Sequence, residues 1–398
     1  MKVLHFSDLH LGMENYGHID PETGLSTRFS DWQKTMQQIV DYANEYDVDL
    51  VIFSGDAFKN RDPSPTYQNA FAQFIKKLSE PNRQVILLVG NHDLPNIEHK
   101  AHTLEIYNSL NLPRVRVSKR MESFKLETKS GPVQLVTWPW LTRNFLLKNE
   151  EYQGKSIEEI DTTLLNKAAQ LFTSLVEQLE ATITTIAIVH ATILGATFGS
   201  ERNVMIGKDL VIPLSLLQQG NLAYVACGHL HKHQVIQEQP PVVYAGSPER
   251  IDFGEEKEEK GCVLVTIENN IVSSLKFLPT AARRFYTWRI KDPFMPPENP
   301  LQEAIVKVVI SGTRDFVNSI HLDSLQEYLK EAYYFAGIER DVIENKKTNL
   351  SKQEFTYTKE QDPDERLKNY LTQKDIDKVL LEKVLDRAKE IFSSTKAE

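Results

Sequence analysis

Residues able to hold metal ions recur where apolar runs end. "SDLH" brings Asp8 and His10, "SGD" Asp56, "GNHD" Asn91, His92 and Asp93, "IVH" His190, and "GHLH" His229 and His231. In "DLH" and "HLH" the polar residues are separated by one position, and in extended backbone that spacing sends both side chains to one side. Imidazole, carboxylate and amide oxygen suit borderline-to-hard divalent ions such as Mn2+, Zn2+ or iron, and two cysteines make no thiolate set. A carboxylate has two oxygens, so Asp56 could bridge two ions. Two ions roughly 3.5–4 Å apart can activate water and stabilise an in-line displacement at phosphorus. Each motif alone has an ordinary explanation, such as a surface turn, the polar close of a strand or a satisfied core histidine. Their joint occurrence in order, each after an apolar run, is what coincidence does not supply.

Such a set needs strands that end together. "KVLHFSD", "VDLVIFSGD", "RQVILLVGNHD", "TTIAIVHATI" and "LAYVACGHLH" are near-continuous apolar runs, as in strands covered on both faces, and "VVYAGSPER" and "GCVLVTIENN" continue the β character. Helices are expected over "SDWQKTMQQIVDYANEY", with Ser30 as N-cap, and over "PSPTYQNAFAQFIKKL", where Ser64 and Pro65 open a helix with Phe71, Phe74, Ile75 and Leu78 on one face. Gly55, Gly90 and Gly228 precede the candidate ligands and would let the backbone turn sharply there. The fold class is therefore α/β, with layered sheets flanked by helices.

This texture runs over residues 1–280. Beyond it "DPFMPPENP" is a proline-rich connector, and "EAIVKVVISG" with "LDSLQEYLKEAYYF" reads as a strand and helix of a small α/β domain over 281–343. Residues 344–398 read as a polar linker and an amphipathic C-terminal helix, whose Ile376, Val379, Leu380, Val384, Ala388 and Ile391 share a side. A chain of 398 residues fits two or three domains. Its start is a poor signal peptide, and Cys227 and Cys262 fit a reducing cytoplasm, Cys227 as a small buried side chain. The net charge of −9 argues against a stand-alone DNA-binding module, because phosphate contacts need local positive potential, bound cations or a partner.

The order "DLHLG", "GD", "GNHD", "VHATI", "GHLH" resembles the calcineurin-like metallophosphoesterase superfamily, and within it the SbcD and Mre-eleven type of nuclease subunit. The resemblance covers roughly residues 1–280 and implies a layered β-sandwich with a capping domain. It implies one ion held by Asp8, His10, Asp56 and His231, and a second by Asp56, Asn91, His190 and His229. His92 matches the family's non-ligand catalytic histidine, and Asp93 would orient it or cap the next turn. The ions would most often be Mn2+, the substrate DNA, and the partner an SbcC-type coiled-coil ATPase bound through the C-terminal helix, in a homodimer formed by helices flanking the core. Many relatives carry a histidine three positions beyond the "GD" aspartate; here Lys59 stands there, a cation but a poor proton shuttle at neutral pH. His18 and Arg28 in the insertion 14–29, together with Lys59, are candidate substrate contacts, and His233 a solvated or substrate-side residue. A DNA nuclease is weighed against a small-molecule phosphomonoesterase or cyclic phosphodiesterase, and against a scaffold without activity. The long extension beyond "GHLH" counts against the second and the intact ligand set against the third.

Overall fold

Apolar residues that alternate between two buried faces build two sheets stacked face to face. The computed structural model describes residues 1–95, 100–142, 154–199, 209–343, 383–385 and 387–388. The chain divides into two units, Met1–Ile343 and Glu344–Glu398.

In the first sheet β1 (Lys2–Phe6), β2 (Leu50–Phe53), β3 (Gln84–Leu88) and β4 (Val115–Ser118) run parallel. The second contains the parallel strands β6 (Gly131–Trp138), β7 (Thr184–His190), β10 (Leu222–Gly228) and β12 (Pro241–Tyr244). Antiparallel strands flank both: β13 (Gly261–Glu268) and β14 (Ile271–Pro279) extend the first past β1, while β5 (Glu122–Thr128) and β11 (Gln234–Glu238) edge the second. Leu50, Ile52, Ile86 and Leu88 meet Leu135, Ile186, Ile188 and Ala226 between the sheets. The alternate residues Val51, Phe53, Val85 and Leu87 face outward onto α1 (Thr27–Glu45) and α2 (Pro65–Ser79) through Trp32, Met36, Phe71, Phe74, Ile75 and Leu78. On the far side Val136, Ala187 and Val225 pack against α4 (Ile157–Glu177) through Ala168, Phe172 and Val176. The short α3 (Glu105–Ser109) precedes β4. This is the helix–sheet–sheet–helix layering that runs of apolar residues covered on both faces require.

Two local expectations are corrected. Ser26, not Ser30, caps α1: its side chain accepts from the Arg28 amide, and the helix starts before the expected cap, so Ser30 lies within the first turn. The helix expected over 322–335 stops at Leu329, because Tyr334 onward joins a sheet. That sheet is small and parallel, β15 (Phe285–Ile290), β16 (Ile305–Gly312) and β17 (Tyr334–Val342), with α5 (Arg314–Ser319) and α6 (Leu322–Leu329) covering its own core of Trp288, Ile290, Val306, Val308, Val317 and Leu325. β8 (Thr192–Ile193) and β9 (Val211–Ile212) form a two-stranded pairing near the site. Cys227 and Cys262 are buried free thiols. Among the described residues no helix is long and apolar enough to cross a membrane.

Candidate metal centre and active site

The carboxyl ends of β1, β2, β3, β7 and β10 converge, which is where α/β sheets place their ligands. Asp8, Asp56, His190 and His229 are at most 1% exposed, and His10 is 3% exposed. Three overlapping groups have donor atoms all within 4.8 Å of one another: Asp8 with His10 and His231, His10 with Asp56 and His92, and Asp56 with His190 and His229. Asn91 closes the set: its Oδ1 lies 2.9 Å from His190 Nε2 and 3.1 Å from His229 Nδ1.

Strand alternation is not what aims these side chains. β1 ends at Phe6 and β10 at Gly228, and the backbone then enters the left-handed region at Asp8 (φ 52°), His10 (φ 44°), Asp56 (φ 62°) and His229 (φ 101°). Such conformations cost about 1–3 kcal/mol each in ordinary residues and are held only where surroundings over-determine them. The surroundings here are explicit. Asp8 N donates to Gly55 O, His10 N to Asp56 O, and His229 N to the Asp8 carboxylate. The glycines serve close approach as much as turning: a Cβ on Gly90 would lie 2.1 Å from Asp56 Oδ1, and one on Gly55 2.3 Å from His190 Nδ1.

Asp93 does not orient His92. Its oxygens accept the amides of Asp56, Ala57 and Gly90, each at 3.0 Å, so the carboxylate builds the loop that carries Asp56. Burial and the neighbouring Asp56 charge push its pKa up to about 6. His92 is instead held by a bond from Nδ1 to Lys59 O at 2.8 Å, and with Lys59, Asn60, Arg61, Asp62 and Asn91 it lines an open cavity of about 410 Å³. Lys59 and His18 are exposed. Arg28 does not reach solvent: it is 1% exposed, with Nη1 2.7 Å from Asp31 and Nη2 2.6 Å from Arg250 O, because it lies in the first turn of α1 and is turned inward onto these groups and Glu249. His233 is not on the substrate side either; its Nδ1 bonds Tyr244 O and its ring stacks on Phe277 at 4.4 Å.

Partners outside the cluster fix which nitrogen of each ring faces in. Carbonyl and carboxylate oxygens only accept, so His190 Nδ1 donates to Ser54 O (2.7 Å), His231 Nδ1 to Glu255 Oε1 (2.8 Å) and His229 Nε2 to Asp209 Oδ2 (2.9 Å). In the neutral rings the opposite nitrogens are bare lone pairs. His190 Nε2 faces two acceptors, Asn91 Oδ1 and, at 3.4 Å, Asp56 Oδ2, while His231 Nε2 meets His10 Nε2 at 3.0 Å. A ring lone pair aimed at an amide oxygen and a carboxylate needs a proton or a metal ion between them, and this donor set fits divalent ions. Without an ion, protons serve instead. Burial lowers His190, but the Asp56 carboxylate outweighs it and raises the pKa to about 9. Burial would raise Asp56, yet His190, His92 and His10 hold it well below the usual carboxylate range, whereas burial keeps Asp8 raised and His10 depressed.

The family model for calcineurin-like phosphoesterases matches residues 1–233, more than half of the chain. The chain belongs to this family. Divalent metal ions are the cofactors and phosphoester hydrolysis the chemistry that membership in this phosphoesterase family implies. The chain is 24% identical over 272 residues to the SbcD subunit of nuclease SbcCD from Bacillus subtilis, covering 67% of this chain and 66% of that protein. It is 24% identical over 283 residues to the protein of that name from Escherichia coli K12, covering 70% and 68%. The matched region thus spans about two thirds of these relatives. A dimetal phosphatase from Danio rerio aligns at a TM-score of 0.41 and 9% identity, covering 71% of this chain and 97% of that one.

Sequence reasoning missed Asp209, Glu255 and Trp140, whose ring lies 4.9 Å from that of His229. Glu255 sits in "GEEKEEK", a charge run that reads as a solvated face, and only burial separates it from its neighbours.

Proposed function

We propose that the chain is a Mn2+-dependent DNA nuclease, cutting ends as an exonuclease and hairpins as an endonuclease, and that it works as a homodimer with an SbcC-type coiled-coil ATPase in DNA end processing, double-strand-break repair and recombination. The observation that carries this reading is the convergence of seven donors and His92 beside one open cavity, in a chain similar to the SbcD subunit of nuclease SbcCD. Asp8, His10, Asp56 and His231 would hold one ion, and Asp56, Asn91, His190 and His229 the other. When bound, such a pair activates water and neutralises charge on the phosphate.

The chain's own groups supply the rest. His92 stands at the cavity with Nδ1 tied to the Lys59 carbonyl, which leaves Nε2 for a phosphate oxygen. Lys59 offers a cation to the next phosphate without serving as a proton shuttle. Trp140 flanks the His190–His229 side, its ring 6.2 Å and 4.9 Å from theirs. The small sheet over 281–343 is read as the cap that makes room for a polymer rather than a small ester. The C-terminal helix that would dock the ATPase lies almost wholly outside the described residues, of which Lys383, Val384, Leu385, Arg387 and Ala388 are helical. A partner with basic DNA-binding surface would complement the net charge of −9.

The deciding experiment compares cleavage of hairpin and blunt-ended DNA with turnover of a nitrophenyl phosphate ester, in Mn2+, with and without the ATPase. DNA cleavage is expected. Efficient ester hydrolysis with no DNA cleavage, partner included, would replace the reading by a small-molecule phosphoesterase.

A further inference from the structure

Two histidines of the cluster are gripped from behind by carboxylates, but the two grips differ. Asp209 receives His229 Nε2 and also Thr192 Oγ1, both at 2.9 Å, beside the short β8–β9 pairing. Glu255 is fully buried and more extensively bonded. Its Oε1 takes His231 Nδ1 at 2.8 Å, and its Oε2 takes the Ile251 amide at 3.0 Å and Lys260 Nζ at 2.9 Å. Lys260, 2% exposed, also reaches Ser247 Oγ and the His231 carbonyl, so both ends of His231 are fixed by one buried ion pair.

The turn that carries Glu255 continues into the small sheet. The carboxylate of Glu256 accepts the Thr287 amide at 2.8 Å and the Thr287 hydroxyl at 2.6 Å, on β15. Phe253 packs edge-on against Phe285 at 5.0 Å, and Tyr16 from the insertion closes on both rings. Phe253, Glu255 and Glu256 therefore connect β15 to a ring nitrogen in the cluster, through a turn too short to absorb much movement.

We propose that Glu255 is a positioning residue that sets the affinity for the ion assigned to His231, and that the Phe253–Glu256 turn transmits the placement of the small sheet to that ion. The proposal rests on the two-ion reading. An outer carboxylate of this kind orients the ring and raises its basicity, and its loss typically weakens a metal site about 10–100-fold. An ion whose retention depends on the cap would let substrate or partner, by moving that sheet, tune the centre from outside it.

The test is Mn2+ titration of the full chain by calorimetry, with electron paramagnetic resonance to distinguish paired from single ions. Wild type is expected to bind two ions with a coupled signal; fewer than two would remove the two-ion reading itself. Glu255→Gln should weaken one ion about 10–100-fold, leave the other at wild-type affinity, and replace the coupled signal by that of a single ion. Because that variant takes from the buried Lys260 one of its two carboxylate partners and leaves only Glu258 at 2.8 Å, Glu255→Gln with Lys260→Met removes both charges of the Glu255–Lys260 pair and should show the same one-ion loss. Glu256→Ala should weaken the same ion by a smaller factor. Two ions at wild-type affinity in either folded Glu255 variant would overturn the positioning role, and wild-type affinity in Glu256→Ala would overturn the link to the small sheet.

Discussion

Asp56 turns one oxygen to the His92 amide and the other toward His10 and His190, at 3.7 and 3.4 Å. Among the described residues, no other carboxylate is shared by the His10 and His190 groups of donors. Asp56→Asn is accordingly expected to lose both ions, measured by elemental analysis of the purified variant, with activity falling to background; full metal and activity would contradict the bridging assignment. His92→Gln should keep both ions and lose about 10²–10⁴-fold in turnover, since it removes a proton-transfer group and leaves the buried donors alone. Loss of metal in that variant would make His92 a ligand. The side chains that meet in this cluster were readable as candidates from their types, because carboxylates and imidazoles at strand ends have few other uses in such density. Asp93 and Arg28 were not, because a carboxylate that captures backbone amides looks the same in sequence as one that orients a ring, and a buried arginine looks like an exposed one.

Among the elements, β1 invites a separate test because its His5 faces inward between the two sheets. Nδ1 pairs with Tyr224 Oη of β10 and Nε2 with Ser54 Oγ just after β2, both at 2.9 Å. Burial, with a smaller contribution from His233, pushes the His5 pKa down from 6.5 to about 3. The folded chain thus keeps this ring neutral while the unfolded chain protonates it below pH 6.5. Stability from this group is complete above pH 6.5 and is lost as pH falls toward 3, at up to about 1.4 kcal/mol per pH unit. Thermal melts of metal-free protein at pH 7.5 and 5.5 should show the loss, and His5→Gln should flatten it; an unchanged slope in the variant would assign the acid sensitivity elsewhere. The central strands were legible as apolar runs, and their two faces separate residue by residue into the inter-sheet core and the helix-facing cores. The start of α1 was not, since Ser26 and Ser30 are both acceptable caps and only the fold of the insertion selects Ser26.

For the whole molecule, the division at Ile343 separates the sheets and all candidate ligands from Glu344–Glu398. If the second unit is the docking element, a chain ending at residue 343 should retain two ions and hydrolyse a nitrophenyl phosphodiester near the full-length rate, yet fail to retain the ATPase in pull-down. Retention of the ATPase would move the interface onto the first unit. The acidic net charge makes the same demand from another direction, because a chain at −9 that acts on DNA needs cations or a partner to hold it there.

The amino-acid order alone determined the α/β class, the strands and the family the chain resembles, and it named the seven candidate donors, because donor chemistry and apolar runs are local properties written position by position. The tertiary structure decided how those donors are aimed. Left-handed backbone at Asp8, His10, Asp56 and His229, room left by Gly90, and ring tautomers set by Ser54, Asp209 and Glu255 all arise from segments distant in sequence meeting at one sheet end. Burial likewise singled out Glu255 from a run of look-alike acids, since desolvation exists only once the chain has closed around a group.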